Sequence, residues 1–209
     1  MAEYSVRLLD EKRRCPADDL LSIITNAELP DAAEPGGPLT DLEQQMFFHL
    51  LVAAGSETTR NTITAGMLAL MERPDEWAAL RSDRSLLPGA VEEMLRWGSS
   101  IHNFRRTATR DTEIRGVKIK EGDKVVMYYA SANRDEDVFE NPHTFDIRRT
   151  NNDHVTFGGG GVHYCLGASL ARTEIKATMQ QIVERMPDIH LTAAPNRLHS
   201  DFVNGIKTM

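Results

Sequence analysis

Several features that mark common protein classes are scarce in this sequence. Cysteine occurs only twice among the 209 residues, as Cys15 and Cys165, which excludes a disulfide framework. No apolar run resembling a secretory signal follows Met1, and we therefore expect a cytoplasmic protein in a reducing environment. The most apolar stretch, residues 46–55, contains His49 and is far shorter than the about 20 apolar residues that a membrane-spanning helix needs. We expect no membrane span.

Positive charge is also in short supply. The chain has 24 Lys and Arg against 31 Asp and Glu, a formal net charge of -7. A nucleic-acid binder needs a basic face to neutralise phosphates, so we expect no nucleic-acid partner. The 41% content of hydrophobic residues is ordinary for a soluble globular protein and argues against a disordered chain.

The sequence does contain a succession of helical patterns, interrupted once by short strands. Helices are predicted over 3–14 and 18–27, the second capped by Asp18, before a loop from Pro30 to Pro38. Apolar residues alternate from Val117 to Met127 around a Glu-Gly-Asp turn, which predicts a hairpin. The predicted segments are helices and a loop at 1–38, a long core helix at 39–73, a shorter helix at 85–97, strands at 105–130, an irregular meander at 131–156, a cysteine loop and the last long helix at 157–186, and C-terminal strands or loop at 187–209.

The longest predicted helix carries polar residues at its apolar centre. It begins at the capping-box pattern of Thr40 and Glu43 and runs to Pro74, a span of roughly 50 Å at about 1.5 Å per residue. We expect its middle to cross the core, yet Gly55, Glu57 and Thr58 stand there. A carboxylate in an apolar core is costly unless it is paired or functional, and a mid-helix threonine can bend the helix. The segment is either a route for protons or a solvated stripe on a half-exposed helix.

Cys165 follows a run of consecutive glycines and opens an amphipathic helix. The glycines at 158–161 allow backbone N–H groups to turn toward a sulfur anion, and the N-terminus of the next helix adds partial positive charge. A thiolate held in this way is a metal ligand or a nucleophile, for which His163 is a candidate base. A zinc site would have to recruit His154 and His163, and no paired-cysteine spacing supports it. The glycine run also lacks the Lys-Ser/Thr of a phosphate loop.

Other charged residues are unremarkable one by one. Glu93 and Arg96 stand three positions apart, a spacing typical of solvated pairs on surface helices. Arg106 and Arg149 carry no signal alone. Glu93, Arg96, Arg106 and Arg149 all follow the polar helix segment in the sequence and precede the cysteine loop. The order of the whole set is a much more specific signal than any one of these residues.

Taken together and in order, these residues resemble the cytochrome P450 superfamily, the haem-thiolate monooxygenases. Residues 54–58 are similar to the family's oxygen-activating helix segment, Glu93-x-x-Arg96 to its acid-base motif, and residues 157–167 to its cysteine loop. The phenylalanine of this loop lies eight residues before the cysteine, where most members have seven and the lipid-hydroxylase subgroup shares the longer loop. The resemblance implies a mainly α fold with a small β region. It implies that 1–209 is a partial domain, the C-terminal haem-bearing half of the fold, truncated at the N-terminus and slightly at the C-terminus.

The resemblance also gives individual residues roles around haem b, iron protoporphyrin IX. Cys165 would be the axial ligand to the iron. Glu57 and Thr58 would relay protons during oxygen activation. A structural salt-bridged triad would consist of Glu93, Arg96 and Arg149. The residues that would contact the cofactor, with Arg106 and His163 on its propionates, are Gly55, Thr59, Arg106, Thr156, Phe157, Gly158, His163, Cys165, Gly167 and Ala171. Those that would line the substrate pocket are Ala54, Ile101, His102, Asn103, Phe104, Phe202 and Val203.

The resemblance implies insertion of one oxygen atom of O2 into a C–H bond of a large apolar substrate. It favours lipids or steroids as the substrate class. The sequence has no nicotinamide or flavin motif, so electrons would come from an external ferredoxin and ferredoxin reductase. Arg172 and Lys176, beside the cysteine loop, are candidate docking residues. Because family members are considerably longer, the competing hypothesis is a truncated, non-catalytic haem-binding or assembly-dependent fragment.

Overall fold

The computed structural model of this chain describes residues 2–28 and 39–209. They fall into two units, Met1–Glu57 and Thr58–Met209. The predicted loop from Pro30 to Pro38 lies outside the described residues. Within the part of the chain that is described, no helix is both long enough and apolar enough to cross a membrane.

The first unit consists of two short helices and the first part of a long one. The Asp19 carboxylate caps the second helix by accepting a hydrogen bond from the N–H of Ser22 at 2.8 Å, so the cap is Asp19 and the prediction of Asp18 is wrong. The helices are α1 (Ala2–Arg14), α2 (Leu20–Thr25) and α3 (Asp41–Met71), the last of which continues into the second unit.

Helix α3 begins at the capping box. The N–H of Thr40 donates to the Glu43 carboxylate at 2.8 Å, and the N–H of Glu43 donates to the Thr40 hydroxyl at 3.3 Å. The expectation that the middle of this helix lies in the core is wrong for residues 52–57, which are all exposed, whereas residues 66–70 are buried. Residues 53–56 have small side chains, which offer little apolar area to bury.

The second unit adds four helices and three small antiparallel sheets to the remainder of α3. Its helices are α4 (Pro74–Ser82), α5 (Leu87–Gly98), α6 (Tyr129–Ala132) and α7 (Ala168–Arg185), with a short 3-10 helix at Arg84–Leu86. Its strands are β1 (Asn103–Thr107), β2 (Thr112–Ile114), β3 (Val117–Ile119), β4 (Lys124–Tyr128), β5 (Asn196–Arg197) and β6 (Ile206–Thr208). Strand β1 pairs with β4, β2 with β3, and β5 with β6.

The prediction of a hairpin between Val117 and Met127 is wrong, because β3 and β4 have different partners. Strand β3 turns back on β2 through Arg115 and Gly116, whose φ angles are 47° and 82°. Two successive positive φ values form the tight turn that suits the right-handed twist of a two-stranded hairpin. Strand β4 pairs instead with β1, where Arg106 lies opposite Val125.

The core of the second unit is built from the second half of α3, from α4, α5 and α7, and from the meander between α6 and α7. A Cβ at Gly66 would lie 2.2 Å from Cε of Met94, so the glycine lets α3 and α5 approach closely. On α7, Ile175 and Met179 are buried, whereas Met186, directly after the helix, is exposed. The buried side chains are Met67, Leu70, Trp77, Leu80, Val91, Met94, Leu95, Phe145, Ile147, Ile175, Met179 and Val183.

Candidate functional site

Glu93 and Arg96 form a fully buried ion pair on α5. Two nitrogens of Arg96 donate to the two carboxylate oxygens of Glu93, at 2.6 Å and 2.8 Å, and both side chains are 0% exposed. The alternative of a solvated surface pair is therefore wrong. Nη1 of Arg96 donates to the carbonyls of Asn133 and Pro142, at 2.8 Å and 2.9 Å, and Nη2 also donates to the carbonyl of Thr144, at 3.0 Å. These partners offset the cost of removing both charges from water.

Arg149 joins this pair from the meander. Its Nε donates to the Glu93 carboxylate at 3.2 Å, beside Nδ2 of Asn152 at 3.1 Å. The same guanidinium donates to the Glu140 carbonyl at 2.7 Å. The three residues proposed as a triad therefore lie together, and they fasten the meander to α5.

Cys165 lies in a loop whose shape depends on glycine. Gly158, Gly160 and Gly161 have φ angles of 93°, 101° and 75°. A residue with a side chain pays about 1–2 kcal/mol in this region of φ. The N–H of Cys165 donates to the Phe157 carbonyl at 3.0 Å, which closes the loop. The cysteine is exposed, three residues before the first residue of α7.

Two more residues of the predicted cofactor set stand at the start of α7. The N–H of Ala171 donates to the Gly167 carbonyl at 2.8 Å, within the first turn. A Cβ at Gly167 would lie 3.9 Å from Sγ of Cys165, an ordinary contact distance. The thiol therefore lies close to the positive end of the helix dipole, which favours an anion.

Apolar side chains flank this thiol and are open to solvent. Val162, Leu166 and Leu170 are 96%, 79% and 62% exposed. An exposed apolar patch is typical of a binding site, because apolar area in water is unfavourable. A flat apolar macrocycle whose metal accepts one thiolate fits this arrangement, so the loop suits the haem that the resemblance implies.

A multi-residue metal site does not fit the geometry. In residues 2–28 and 39–209, no three His, Cys, Asp or Glu side chains are grouped closely enough to hold a metal ion. His154 instead directs its Nε2 to a carboxylate, at 3.1 Å from Glu92. A zinc site that recruits His154 and His163 with Cys165 is therefore not formed.

A second charged cluster, which sequence reasoning missed, lies beside the cysteine loop. Arg172 on α7 donates from Nε and Nη2 to the two carboxylate oxygens of Glu92 on α5, at 2.8 Å and 2.9 Å. Burial by itself raises the pKa of Glu92, but hydrogen bonds from His154 and Arg172 outweigh burial and bring the pKa to about 2. Arg172 is engaged by Glu92, and its side chain is 35% exposed; its part in docking an electron carrier stays a prediction.

Thr58 and Thr59 lie in the part of α3 that belongs to the second unit. The Thr58 carbonyl accepts hydrogen bonds from the hydroxyls of Thr62 and Ser100, both at 2.9 Å. Those two hydroxyls are 2.6 Å apart, and both residues are buried. Ser100 directly precedes Ile101, so this hydroxyl network connects the predicted proton-relay segment to the predicted substrate-lining strand.

Ala54, Gly55 and Glu57 lie in the first unit, on the exposed stretch of α3. A Cβ at Gly55 would meet no heavy atom within 4 Å. The helix backbone at Gly55 is therefore open to close approach by a ligand.

The two segments predicted to line the substrate pocket come together. Ile101 and Val203 form an antiparallel bridge, and the N–H of His102 donates to the Phe202 carbonyl at 2.9 Å. The rings of Phe104 and Phe202 pack edge to face, with centroids 5.5 Å apart. Although these segments are about 100 positions apart in the sequence, they form one partly exposed apolar surface.

The remaining predicted contacts are spread over β1 and the loop. Asn103 opens β1, and Arg106 lies exposed on the same strand. His163 is exposed in the cysteine loop. The Thr156 hydroxyl donates to the Leu95 carbonyl at 2.9 Å and so anchors the loop to α5.

Comparison with known proteins points to one family. The family model described as Cytochrome P450 matches residues 7–200. The chain is 46% identical over 204 residues to a steroid C26-monooxygenase of Rhodococcus jostii. It is 47% identical over 207 residues to a methyl-branched lipid omega-hydroxylase of Mycobacterium tuberculosis. The solved structure of a Mycobacterium marinum cytochrome P450 in complex with pseudoionone matches with a TM-score of 0.92 and 43% identity.

These matches cover nearly all of this chain but only part of each relative. They cover 98% of the chain and 42% of the steroid C26-monooxygenase, 99% and 47% for the lipid hydroxylase, and 99% and 49% for the solved structure. The chain thus spans about half the length of the proteins it matches.

Proposed function

Because this chain belongs to the cytochrome P450 family, we propose that it is the haem-bearing part of a monooxygenase that inserts one oxygen atom of O2 into a C–H bond of a large apolar substrate. The observation that carries the proposal is the exposed thiol of Cys165 in its glycine loop. That loop follows the meander that Glu93, Arg96 and Arg149 fasten to α5. A rigid scaffold of this kind holds a metal ligand in one position.

The cofactor in this proposal is haem b. Activation of dioxygen is the chemistry that a bound haem supplies, and an axial thiolate favours cleavage of the O–O bond. Cys165 would hold the iron through Sγ, and Arg106 and His163 would bind the propionates as cations or hydrogen-bond donors. Gly55 and Thr59 on α3 are further residues assigned to the cofactor, together with those of the loop and the first turn of α7.

Proton delivery is assigned to Glu57 and Thr58. The carboxylate of Glu57 is exposed and can exchange protons with water. The hydroxyl of Thr58 can donate and accept a proton at Oγ1. The carbonyl of Thr58 is held by Ser100 and Thr62, which fixes the backbone from which this hydroxyl projects.

The substrate class follows from the relatives and from the apolar strand. The two curated relatives are named for steroid and methyl-branched lipid substrates, and both are more than 45% identical to this chain. The edge-to-face pair of Phe104 and Phe202, beside Ile101 and Val203, gives an apolar wall that suits such a ligand. We therefore assign a large apolar substrate of the lipid or steroid class.

Electrons are assigned to an external ferredoxin and ferredoxin reductase, in the cytoplasm. The proposal is supported by the sequence, which has no nicotinamide-binding or flavin-binding motif of its own.

A second candidate function is a haem-binding fragment without catalysis, which acts only after assembly with another polypeptide. It is favoured by the exposure of residues 52–57 on α3 and of Leu166 and Leu170 beside the thiol. Water that reaches an open site uncouples oxygen activation from substrate oxidation.

An isotope experiment separates the two functions. The chain is loaded with haem, supplied with a ferredoxin, its reductase and a steroid with an unfunctionalised side chain, and exposed to dioxygen labelled with heavy oxygen. A hydroxylated steroid that carries one labelled oxygen supports the monooxygenase, with Thr58→Ala lowering product per electron consumed. Haem binding with unlabelled or absent product supports the fragment. Thr64→Ala, which removes an exposed hydrogen bond from the same helix, is the matched control.

A further inference from the structure

Three segments of the chain are joined at one point by the side chains of Glu92, His154 and Arg172. We name these three residues the Glu92 clamp. Glu92 lies on α5, His154 in the meander and Arg172 on α7. The bidentate pair of Arg172 with Glu92 is the strongest geometry available to these groups, and His154 is 2% exposed at its side chain. The clamp is therefore a built feature and not a chance surface pair.

The hydrogen bonds fix the orientation of the imidazole. Nδ1 of His154 accepts from the N–H of Thr156 at 3.3 Å, which leaves the proton of the ring on Nε2. Nε2 then donates to the Glu92 carboxylate at 3.1 Å. Glu92 thus holds the chain at Thr156, the residue before Phe157.

The clamp also touches the aromatic ring of the cysteine loop. The guanidinium carbon of Arg172 lies 4.6 Å from the centroid of the Phe157 ring, and the His154 ring lies 6.0 Å from it. The 4.6 Å from Arg172 to the Phe157 ring is within the range of a cation–π contact. The pKa of Arg172 is raised above its ordinary value, chiefly by the hydrogen bond to Glu92 and to a lesser extent by Tyr164, the neighbour of Cys165.

Phe157 is the residue whose backbone holds Cys165. Its carbonyl accepts the N–H of Cys165 at 3.0 Å. The glycines between the two residues have little stiffness of their own, because glycine populates many φ values readily. The position of Sγ therefore depends on what holds Phe157, and the clamp does so at its ring and through Thr156.

We propose that Glu92, His154 and Arg172 are positioning residues that fix the place of the Cys165 side chain through Phe157, an inference that rests on the proposed role of Cys165 as the haem ligand. Without the Glu92 charge, Arg172 has no carboxylate to hold it over Phe157. The loop then loosens, because Phe157 no longer holds the backbone of Cys165 in one place. A Cys165 side chain in a looser loop meets an alkylating reagent in more orientations and therefore reacts faster.

The first test needs no haem. In a Cys15→Ser background, which removes the other exposed thiol, the alkylation rate of Cys165 by iodoacetamide is measured on the haem-free chain. Glu92→Gln should raise that rate about three- to tenfold, as expected for the loss of a partly exposed charged hydrogen bond. The matched control is Glu76→Gln, which breaks the ion pair with Arg148 on the meander and should leave the rate unchanged.

The second test is spectroscopic. In the haem-loaded chain, the reduced carbon monoxide adduct of Glu92→Gln should lose part of the strongly red-shifted Soret band to an unshifted band, whereas Glu76→Gln should not. Equal alkylation rates and equal spectra in the two variants would overturn the inference. Should Glu92→Gln fail to fold by circular dichroism, Arg172→Lys, which keeps the charge but not the bidentate geometry, decides by the same comparisons.

The two tests also separate this inference from the proposed function. A parent chain that shows no red-shifted band at all refutes thiolate ligation of haem. The alkylation comparison still decides whether the clamp positions Cys165. Conversely, an intact parent band with unchanged Glu92→Gln results refutes the clamp alone.

Discussion

Glu93→Gln is the substitution whose effect on folding the structure defines most sharply. It removes the charge of a carboxylate that is 0% exposed and that accepts hydrogen bonds from Arg96, Arg149 and Asn152. Arg96 is then left as a buried cation with neutral partners, namely carbonyl oxygens and the rings of Trp97 and Phe139. Breaking a buried ion pair on one side costs about 3–5 kcal/mol, because the remaining charge has no compensation. Since the total stability of a domain is about 5–15 kcal/mol, this loss is a large share of it.

The assay is equilibrium unfolding in urea, followed by far-UV circular dichroism. Glu76→Gln is the control, since its partner Arg148 is half exposed and such pairs contribute about 0–1 kcal/mol. Arg149→Lys supplies an intermediate case if Glu93→Gln does not fold, because it keeps the charge but not every hydrogen bond. A Glu93→Gln loss no larger than that of Glu76→Gln would refute the claim that this pair organises the meander.

Three further predictions concern the loop, the hydroxyl network and pH. Gly161→Ala should lower the free energy of unfolding in urea by about 1–2 kcal/mol, because the φ of Gly161 is 75°. Gly159 is not one of the positive-φ glycines of the loop, and a Cβ there meets no atom within 4 Å, so Gly159→Ala should lower it less. Equal losses would contradict the role of φ. Ser100→Ala should lower the free energy of unfolding by about 1–3 kcal/mol, because it removes the two hydrogen bonds of a buried hydroxyl, to the Thr58 carbonyl and to the Thr62 hydroxyl. Thr64→Ala removes one exposed hydrogen bond and should have a smaller effect; the reverse order would be inconsistent with the network. Because the pKa of Glu92 is lowered from 4.5 to about 2, its ionised form contributes stability above about pH 4.5 that is lost as the pH falls toward 2. Allowing for its partial exposure, Glu92→Gln should be less stable than the parent by about 1–2 kcal/mol at pH 7, and the gap should narrow below pH 4.5; a constant gap down to pH 3 would show that Glu92 does not carry this dependence.

The helices and the cysteine loop were accessible to sequence reasoning because their signals are local. The capping box at Thr40 and Glu43 forms as its spacing indicates, and a proline precedes or opens α4 and α5. The pairing of β3 was not accessible from apolar alternation alone. Arg115 and Gly116 contain the turn signal, since a glycine after a polar residue suits positive φ, and that signal was overlooked.

Burial was the property that sequence patterns determined least well. The spacing of Glu93 and Arg96 is the same in a solvated pair and in a buried one, and the deciding carbonyls come from residues 37 to 48 positions further along the chain. Val52, Ala53 and Ala54 are apolar but exposed, because burial depends on neighbours and not on composition.

The Glu92 clamp was missed for a related reason. Glu92 adjoins Glu93, and Arg172 follows Cys165 by seven residues, but 80 positions separate the two partners. One sequence without its fold contains no sign that they meet. The ring contact with Phe157 likewise appears only once α7 is placed against α5.

The most direct test of the account is the absorption spectrum of the haem-loaded, dithionite-reduced chain after addition of carbon monoxide. We predict the strongly red-shifted Soret band of a thiolate-ligated haem for the parent and for Cys15→Ala, and its disappearance in Cys165→Ala. Each of the two variants replaces an exposed cysteine by alanine, so a difference between their spectra reports the loss of the iron ligand. A Cys165→Ala spectrum identical to that of the parent, or a folded parent that binds no haem, would contradict the assignment of Cys165 as the iron ligand.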